Sequence, residues 1–272
     1  MGKSAQHKEA MKSLAATSRT FYIPISRLVP GLQEAVASAY LCMRAIDEIE
    51  DDPHLPAPDK IKLLRQVAVF LKNAELDPRE AEVIFANYKK SLPKVTLKLA
   101  DWALFCPSTI APTVWAATAE MAAGMADWVE RNWVIRTEKD LDDYTYCVAG
   151  AVGVLLSDIW NWYDGTETDY EEATGFGRGL QTVNIVRNRK EDLERGVDFF
   201  PDGWDLQDMF AYTRRNLQLG QAYIEDLKPG PVLDFCRIPL ALASGTLEAL
   251  AAGKSKLSRT SVLEIVQRLQ SS

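Results

Sequence analysis

Residues 44–52 read RAIDEIEDD. Asp47 and Asp51 are four positions apart, so on an α-helix they share one face and are spaced to bind one cluster of divalent cations. Ile46 and Ile49 flank them on the side of the helix that should face apolar surroundings. Oxygen ligands select hard cations such as Mg²⁺, which bind through a few carboxylates together with substrate phosphates. A solvated acidic helix end is the alternative that this stretch alone leaves open.

A second row of polar side chains, called here the second ladder, lies in residues 181–192, which read QTVNIVRNRKED. Asn184, Asn188 and Asp192 recur at intervals of four and therefore share one helix face. The apolar residues between them predict that this helix is partly buried. Amides and a carboxylate stacked in this way are costly to bury unless they meet ions or polar partners. The alternative here is a capped, solvated helix end rich in charged residues.

Arginine residues lie within both the acidic stretch at 44–52 and the polar ladder at 181–192. Arg44 precedes the first aspartate by three positions, and Arg187 lies between the two asparagines. Guanidinium groups suit diphosphate oxygens, and Mg²⁺ bridges phosphate to carboxylate. Residues 18–21 add two hydroxyls, a guanidinium group and an aromatic ring in a predicted loop. Together these groups predict a site for a polyanion that carries an apolar tail.

The composition narrows the class of protein. The chain has 272 residues, of which 47% are hydrophobic and 25% charged, which is typical of a globular protein. The net charge is −7 and the basic residues are dispersed, which argues against nucleic-acid binding. The four cysteines lack paired spacing and there are two histidines, so zinc, disulfide and Ser-His-Asp chemistry are disfavoured.

The same sequence features predict a cytoplasmic protein. Unpaired cysteines suit a reducing compartment. The first residues lack the apolar run of a secretory signal. No stretch reaches the roughly 18 uninterrupted apolar residues that a membrane-spanning helix requires.

Helical periodicity extends over nearly all of the chain, and convincing strand patterns are absent. No flexible linker or repeat divides it, so we predict one α-helical domain over residues 1–272. Residues 18–30 are expected to be irregular. The predicted helices span residues 30–51, 59–73, 78–91, 112–133, 170–195, 206–227, 232–252 and 260–269.

Local signals mark several helix starts. Asp77 followed by proline is a typical helix N-terminus. Thr137 and Asp140 have the spacing of a capping box. Residues 149–156 are apolar on all sides, which predicts a buried helix.

Four blocks of sequence resemble the squalene/phytoene synthase family, and its squalene synthase branch in particular. They occur in the family's order and, with weaker matches at residues 124–126 and 235–239, extend over most of the chain between residues 17 and 239. The blocks are TSRTF at 17–21, YLCMRAIDEIEDD at 40–52, VAGAVG at 148–153 and QTVNIVRNRKED at 181–192.

The resemblance implies an all-α class I isoprenoid-synthase fold, a single helical bundle around a central apolar cavity with the two acidic helices facing each other. The metal ligands that it implies for Mg²⁺ are Asp47, Asp51, Asn188 and Asp192. The side chains implied to bind diphosphate are Ser18, Arg19, Arg44, Gln181, Asn184 and Arg187. Catalytic roles are implied for Phe21, Tyr40, Cys147 and Phe235. Of these, the two phenylalanines would line the carbocation pocket and the tyrosine would also lie against diphosphate.

The chain departs from the family pattern at four positions. Asn188 stands where the family typically has an aspartate, and Cys147 where it usually has a catalytic tyrosine. Tyr146 is adjacent, but one residue along an α-helix rotates a side chain by about 100°. Val197 replaces an arginine, and Asp158 replaces a basic residue or threonine.

These features predict a Mg²⁺-dependent enzyme that ionises farnesyl diphosphate, with head-to-head prenyl transfer as the leading hypothesis. NADPH would be needed only if the full squalene reaction is retained. The departures keep two alternatives open: hydrolysis or cyclisation of a single substrate, and an inactive relative that binds prenyl lipid. The expected partner is a prenyl diphosphate rather than nucleic acid. A hydrophobic product is compatible with peripheral membrane contact. The protein is expected to be a monomer or a homodimer.

Overall fold

The computed structural model describes residues 3–271, and for residues 3, 19, 259, 270 and 271 it describes the backbone alone. Within this range every regular element is helical, which confirms the prediction of an all-α chain. None of the described helices combines the length and apolar character needed to cross a bilayer. Two compact units form, one up to Asn132 and one from Trp133 onward. A single domain over residues 1–272 stays a prediction.

The first unit is built around its third helix. Its helices are α1 (Lys3–Thr17), α2 (Arg19–Ser26), α3 (Leu32–Glu50), α4 (Ala57–Leu71), α5 (Pro78–Ile84), α6 (Lys94–Leu97), α7 (Leu99–Ala103) and α8 (Ala111–Glu130). Helix α3 packs against α1, α4, α6, α7 and α8, and Ile46 and Ile49 are fully buried in this core. Ser38 donates a hydrogen bond to the Trp102 carbonyl oxygen at 2.8 Å, and Thr96 donates to Ala45 at 2.9 Å. Apolar packing and these buried hydrogen bonds fix the direction of α3.

The second unit is built around its longest helix. Its elements are α9 (Glu138–Thr145), a π-helical turn (Tyr146–Gly150), α10 (Ala151–Asp164), α11 (Tyr170–Glu194), α12 (Leu206–Glu225), α13 (Pro231–Ala251) and α14 (Arg259–Ser271). Helix α11 packs against α10, α12 and α13. A Cβ atom added at Gly153 would lie 1.9 Å from the Ala173 carbonyl oxygen, and one at Gly177 would lie 2.1 Å from that of Ala149. Glycine is therefore required where α11 touches the π turn and α10.

Most helix predictions are confirmed to within two residues. This holds for α3, α4 and α11 to α14. Asp77 caps α5 by accepting a hydrogen bond from the Arg79 amide. Thr137 and Asp140 form the expected capping box at the start of α9. Local capping chemistry thus fixes these helix starts.

The irregular segment predicted for residues 18–30 is wrong in its first half. Residues 19–26 form α2, in which Ser18 accepts a hydrogen bond from the Phe21 amide at 3.0 Å. Pro24 lies inside this short helix, and a proline inside a helix normally predicts a break. The serine cap compensates at the N-terminus, where the amides lack helical partners.

Two predicted helices end too late. Helix α5 ends at Ile84 and is followed by a 3₁₀ turn, whose last residue, Tyr88, donates from its hydroxyl to Asp59 at 3.0 Å. Helix α8 ends at Glu130, because Asn132 and Trp133 have positive φ values of 54° and 50°. Left-handed backbone ends a right-handed helix.

The predicted burial of residues 149–156 is only partly right. Gly153, Leu155 and Leu156 are buried. The remaining apolar side chains there are half-exposed: Ala149, Ala151, Val152 and Val154. An apolar segment therefore presents one side of this helix away from the core.

Candidate active site

The predicted residues at the start of α2 meet α3 within the first unit. The Ser18 cap orients α2 so that the rings of Phe21 and Tyr40 approach with centroids 5.7 Å apart, tilted by 42°. Both rings are half-buried. The side chain of Arg19 lies outside the described residues. The structure thus brings together three of the residues predicted for substrate binding and catalysis.

Tyr40 is held in its neutral form. Burial raises the pKa of its phenol, and this outweighs the hydrogen bonds with Ser18 and Thr17 and the charge of Arg44, which lower it. A phenol whose pKa is above its ordinary value of about 10 keeps its proton at neutral pH. Tyr40 is therefore suited to donate a hydrogen bond to an anion.

Arg44 lies one helical turn before the first aspartate and is half-buried. Its Nε atom donates to Glu48 Oε1 at 2.9 Å, and its Nη2 atom pairs with the same oxygen. Burial lowers the pKa of Arg44, but the hydrogen bond and charge of Glu48 more than offset this, so the pKa is raised. The guanidinium is a fixed cation with one side held by Glu48.

Asp47 is a carboxylate of the first unit whose pKa is raised. It is half-buried, and burial, followed by the charges of Glu50 and Asp51, raises its pKa well above the ordinary value; Arg44 opposes this only in part. Asp51 is exposed at the C-terminal cap of α3, where its amide donates to the Asp47 carbonyl oxygen at 2.8 Å. A divalent cation would relieve this carboxylate repulsion, so the donor set fits Mg²⁺.

Within the described part of the chain, no group of three or more His, Cys, Asp or Glu side chains is arranged as a ready metal cluster. Sequence reasoning also missed Lys60, which is buried on α4 and donates from its amine to the Glu50 carbonyl oxygen. This lysine places a positive charge at the C-terminal end of α3, which the helix dipole favours. The contact joins two helices across a turn, so no spacing in the sequence indicates it.

The second ladder forms on α11 in the second unit. Gln181, Asn184 and Asn188 are half-buried, and Asp192 is 7% exposed. The continuous helix confirms that the polar side chains recur along one face, while Ile185 and its neighbours face the core. The ladder is more deeply placed than a solvated helix end.

Two arginines already contact the predicted metal ligands of α11. Arg187 is exposed and its Nε atom donates to Asn188 Oδ1 at 3.0 Å. Arg195 Nη2 donates to Asp192 Oδ1 at 2.5 Å, an ion pair between residues three apart. The second ladder therefore has internal positive charge next to its oxygen ligands. The i, i+3 spacing of Arg195 and Asp192 is a signal in the sequence that could have predicted this pair.

Cys147 lies half-buried in the π turn that joins α9 and α10. The adjacent Tyr146 is 45% exposed. In α9, just before the turn, Asp142 Oδ1 accepts a hydrogen bond from the Tyr212 hydroxyl at 2.6 Å, and the Asp142 carbonyl oxygen accepts one from Arg178 at 3.0 Å. The periodicity of the sequence did not predict the wide turn. Turns of this kind are frequent at functional sites.

The other predicted positions in the second unit differ in environment. Phe235 is 3% exposed, and its ring meets that of Trp160 edge-on at 5.5 Å. Asp158 accepts a hydrogen bond from the Tyr170 hydroxyl at 2.6 Å. Val197 is half-buried just after α11. A contact between Arg189 and Asp198 beside this valine was not predicted from the sequence.

Comparison with known sequences identifies a family and several relatives of this chain. A family model described as squalene/phytoene synthase matches residues 14–204. Squalene synthase of Mus musculus is 27% identical over 272 residues, covering 90% of this chain and 64% of that protein. Squalene synthase of Schizosaccharomyces pombe is 29% identical, covering 87% of this chain and 58% of that protein. The chain thus spans less than two thirds of these relatives' length.

Solved structures show the same fold. TcSQS in complex with the ligand E5700 has a TM-score of 0.79 at 23% identity, covering 96% of this chain and 85% of that one. A dehydrosqualene synthase in complex with ligand has a TM-score of 0.64 at 18% identity, covering 99% of this chain and 96% of that one. These similarities confirm the all-α isoprenoid-synthase fold.

Proposed function

Because the chain belongs to the squalene/phytoene synthase family, we propose that it is a Mg²⁺-dependent prenyltransferase that ionises farnesyl diphosphate and joins two such molecules head to head. The observation that carries this proposal is Asp47, a half-buried carboxylate whose pKa is raised by burial and by neighbouring acids. Such a group gains most from a bound cation. The relatives named squalene synthase supply the reaction type.

Four side chains are proposed to hold Mg²⁺: Asp47, Asp51, Asn188 and Asp192. When bound, the metal neutralises the charge that develops on departing diphosphate. Arg44 and Arg187 add guanidinium donors that match phosphate oxygens. The side-chain amides of Gln181 and Asn184, which are half-buried, orient the diphosphate by hydrogen bonding.

The two aromatic residues Phe21 and Tyr40 of the first unit have separate roles in this proposal. Tyr40 keeps its proton and donates it in a hydrogen bond to diphosphate, since burial raises the pKa of its phenol. The face of Phe21, 5.7 Å from Tyr40, stabilises an allylic cation without reacting with it. Burial of both rings limits the access of water, which would quench the cation.

A second candidate function is hydrolysis or cyclisation of one farnesyl diphosphate. It is favoured by Cys147, which stands in the π turn where the family usually has a tyrosine. It is also favoured by the arginine contacts of Asn188 and Asp192, which leave the second ladder with less net negative charge for metal. Ionisation of one substrate asks less of these residues than two successive ionisations.

The deciding experiment is incubation of the purified protein with farnesyl diphosphate and Mg²⁺, with and without NADPH, followed by extraction and mass spectrometry. We expect released diphosphate and a C30 product. Farnesol or a C15 hydrocarbon would instead establish the single-substrate reaction. Binding of a non-hydrolysable thiodiphosphate without any turnover would identify an inactive relative and refute the enzymatic proposal for this substrate.

The metal requirement has a separate control. The same incubation with EDTA in place of Mg²⁺ should release no diphosphate above the protein-free blank. Full activity without divalent cation would contradict the assigned role of the carboxylates. Product in the presence of Mg²⁺ but only with NADPH would assign the reductive half of the squalene reaction to this chain.

A further inference from the structure

The segment that follows α11, residues 196–201, folds back onto the helix end. Gly196 has a φ of +81°, which reverses the chain. The Val197 and Arg195 amides both donate to the Asp192 carbonyl oxygen at 3.0 Å. Asp192 thus anchors this returning segment through its backbone, while its side chain is 10% exposed.

Arg189 holds the returning segment from the helix side. Its Nη2 and Nε atoms donate to the two oxygens of Asp198 at 2.8 and 3.2 Å. Its guanidinium carbon lies 3.6 Å from the centre of the Phe200 ring. The Phe200 amide donates to Asp198 Oδ1 at 3.1 Å, which closes the set of contacts. The planar guanidinium of arginine can form a bidentate ion pair and stack on an aromatic ring at the same time, whereas the lysine amine cannot.

The far end of the segment is fixed to a different element. Phe199 is buried, and its ring stacks on that of Tyr144 in α9 at 4.6 Å and 18°. The Asp202 amide donates to the Arg136 carbonyl oxygen at 2.9 Å. The segment is therefore pinned at both ends, and Arg189 is the side chain of α11 that holds its middle.

We propose that Arg189 is a positioning residue, which fixes residues 196–201 beside Asp192 and thereby holds the Asp192 carboxylate ready for a divalent cation bound with diphosphate. The inference rests on the proposed function in that it assigns Asp192 to metal binding. Side chains that orient a metal ligand typically change metal affinity 10- to 100-fold when they are removed. Loss of the Arg189 contacts would loosen residues 196–201, whose Val197 amide donates to the Asp192 carbonyl oxygen, and so weaken the hold on the backbone that carries the Asp192 carboxylate.

The test uses Mg²⁺ with inorganic pyrophosphate as the probe, measured by isothermal titration calorimetry. Arg189→Ala should weaken binding about tenfold, and Arg189→Lys should restore part of this loss because it keeps the charge. Asp198→Asn should weaken binding similarly, and the double variant should be no worse than Arg189→Ala. The matched control is Arg65→Ala, which removes an exposed arginine paired with Glu130 at 2.8 Å and should bind as the unchanged protein does.

A second readout is independent of ligand. Limited proteolysis should cleave residues 196–201 at least several times faster in Arg189→Ala than in Arg65→Ala, at equal helix content by circular dichroism. Unchanged cleavage, or unchanged binding in Arg189→Ala, would overturn the proposal. Global unfolding of Arg189→Ala shifts the decision to Arg189→Lys and Asp198→Asn, and wild-type binding in both would overturn it.

The outcomes also separate this inference from the proposed function. Binding without turnover of farnesyl diphosphate refutes the proposed function and leaves the role of Arg189 standing. Turnover with unchanged binding in Arg189→Ala refutes the role and leaves the function standing. Failure of the unaltered protein to bind Mg²⁺ with pyrophosphate refutes both.

Discussion

The first acidic stretch, residues 44–52, and the end of the second ladder, residues 187–195, have similar spacing but opposite charge balance. The first contains five acidic residues and Arg44, a net charge of −4. The second contains three acidic and four basic residues, a net charge of +1. Asp47 lies among other acids that raise its pKa, whereas Asp192 is paired with Arg195 at 2.5 Å.

This difference indicates two ways of keeping carboxylates at a helix end. The first stretch keeps an excess of negative charge that a bound cation would balance, while the second carries its own counter-charge. The helices also pack differently, since α3 contains no glycine and α11 contains three where it meets its neighbours.

The largest effect is expected on turnover. Asp47→Asn should lower kcat/KM about 100- to 1,000-fold, the loss typical of removing one group that stabilises transition-state charge. Asp192→Asn should lower kcat/KM about tenfold, since Arg195 already balances part of the charge of Asp192. Diphosphate release from farnesyl diphosphate measures both. Asp127→Asn, an exposed change in α8, is the control, and equal losses at Asp47 and Asp192 would break the comparison.

The next effect concerns folding. Gly177→Ala should lower the free energy of unfolding by about 3 kcal/mol, the upper part of the range for overpacking, because its Cβ would lie 2.1 Å from a backbone oxygen. Gly245→Ala, whose nearest contacts would all be side-chain methyl groups, the closest that of Ile265 at 3.0 Å, should lower it by about 1 kcal/mol. Urea unfolding compares the two. Similar losses would show that backbone contact does not distinguish α11.

A smaller effect should appear without metal. The raised pKa of Asp47 means that the folded state binds its proton more tightly than the unfolded state. Stability is therefore lost as pH rises from the unfolded pKa through the folded pKa. Asp47→Asn should raise the Tm in EDTA by about 3 °C at pH 7.5, the effect of ~1 kcal/mol in a chain of this size.

The gain in Tm should shrink as the pH is lowered toward the unfolded pKa of about 3.9, below which Asp47 is uncharged in the folded and the unfolded state alike. Asp192→Asn should show no such gain, since its partner Arg195 loses an ion pair. Differential scanning calorimetry in EDTA gives both values. A lower Tm for Asp47→Asn at pH 7.5 would contradict the assigned repulsion.

The smallest effect tests the second ladder directly. Asn188→Asp adds a carboxylate next to Asp192 and should lower the Mg²⁺ concentration for half-maximal turnover roughly threefold, a modest Coulomb gain at a partly solvated site. Leu193→Asp, an exposed change on the same helix, controls for added charge alone. An unchanged Mg²⁺ dependence would show that position 188 does not contact metal.

Much of the fold could be predicted because its signals are local. The Asp77 and Thr137 caps and the periodicity of α11 depend on neighbours within a few positions. Helix α2 was missed because Pro24 normally predicts a break, and only the Ser18 cap compensates. The π turn leaves no mark in a periodic pattern.

In the candidate site, too, the local spacing of residues could be predicted and the contacts between distant segments could not. The i, i+4 carboxylates and the arginine positions are visible in the sequence. The structure places Phe21 beside Tyr40, and Tyr40 near the charges of Arg44 and Asp47. The contacts of Lys60 with α3 and of Arg189 with Asp198 were not predicted. They depend on how turns bring separate segments together, which spacing alone does not encode.

The π turn has a consequence for how this chain can change length. A turn closed by i to i+5 hydrogen bonds holds one residue more than an α-helical turn. Deleting Cys147 would let this turn relax to ordinary helix while the Thr145 side of α9 and the Gly153 contact with Ala173 keep their places. Tyr146 would then directly precede Val148, so a single in-frame codon loss would exchange the thiol for a phenol at this point of the chain.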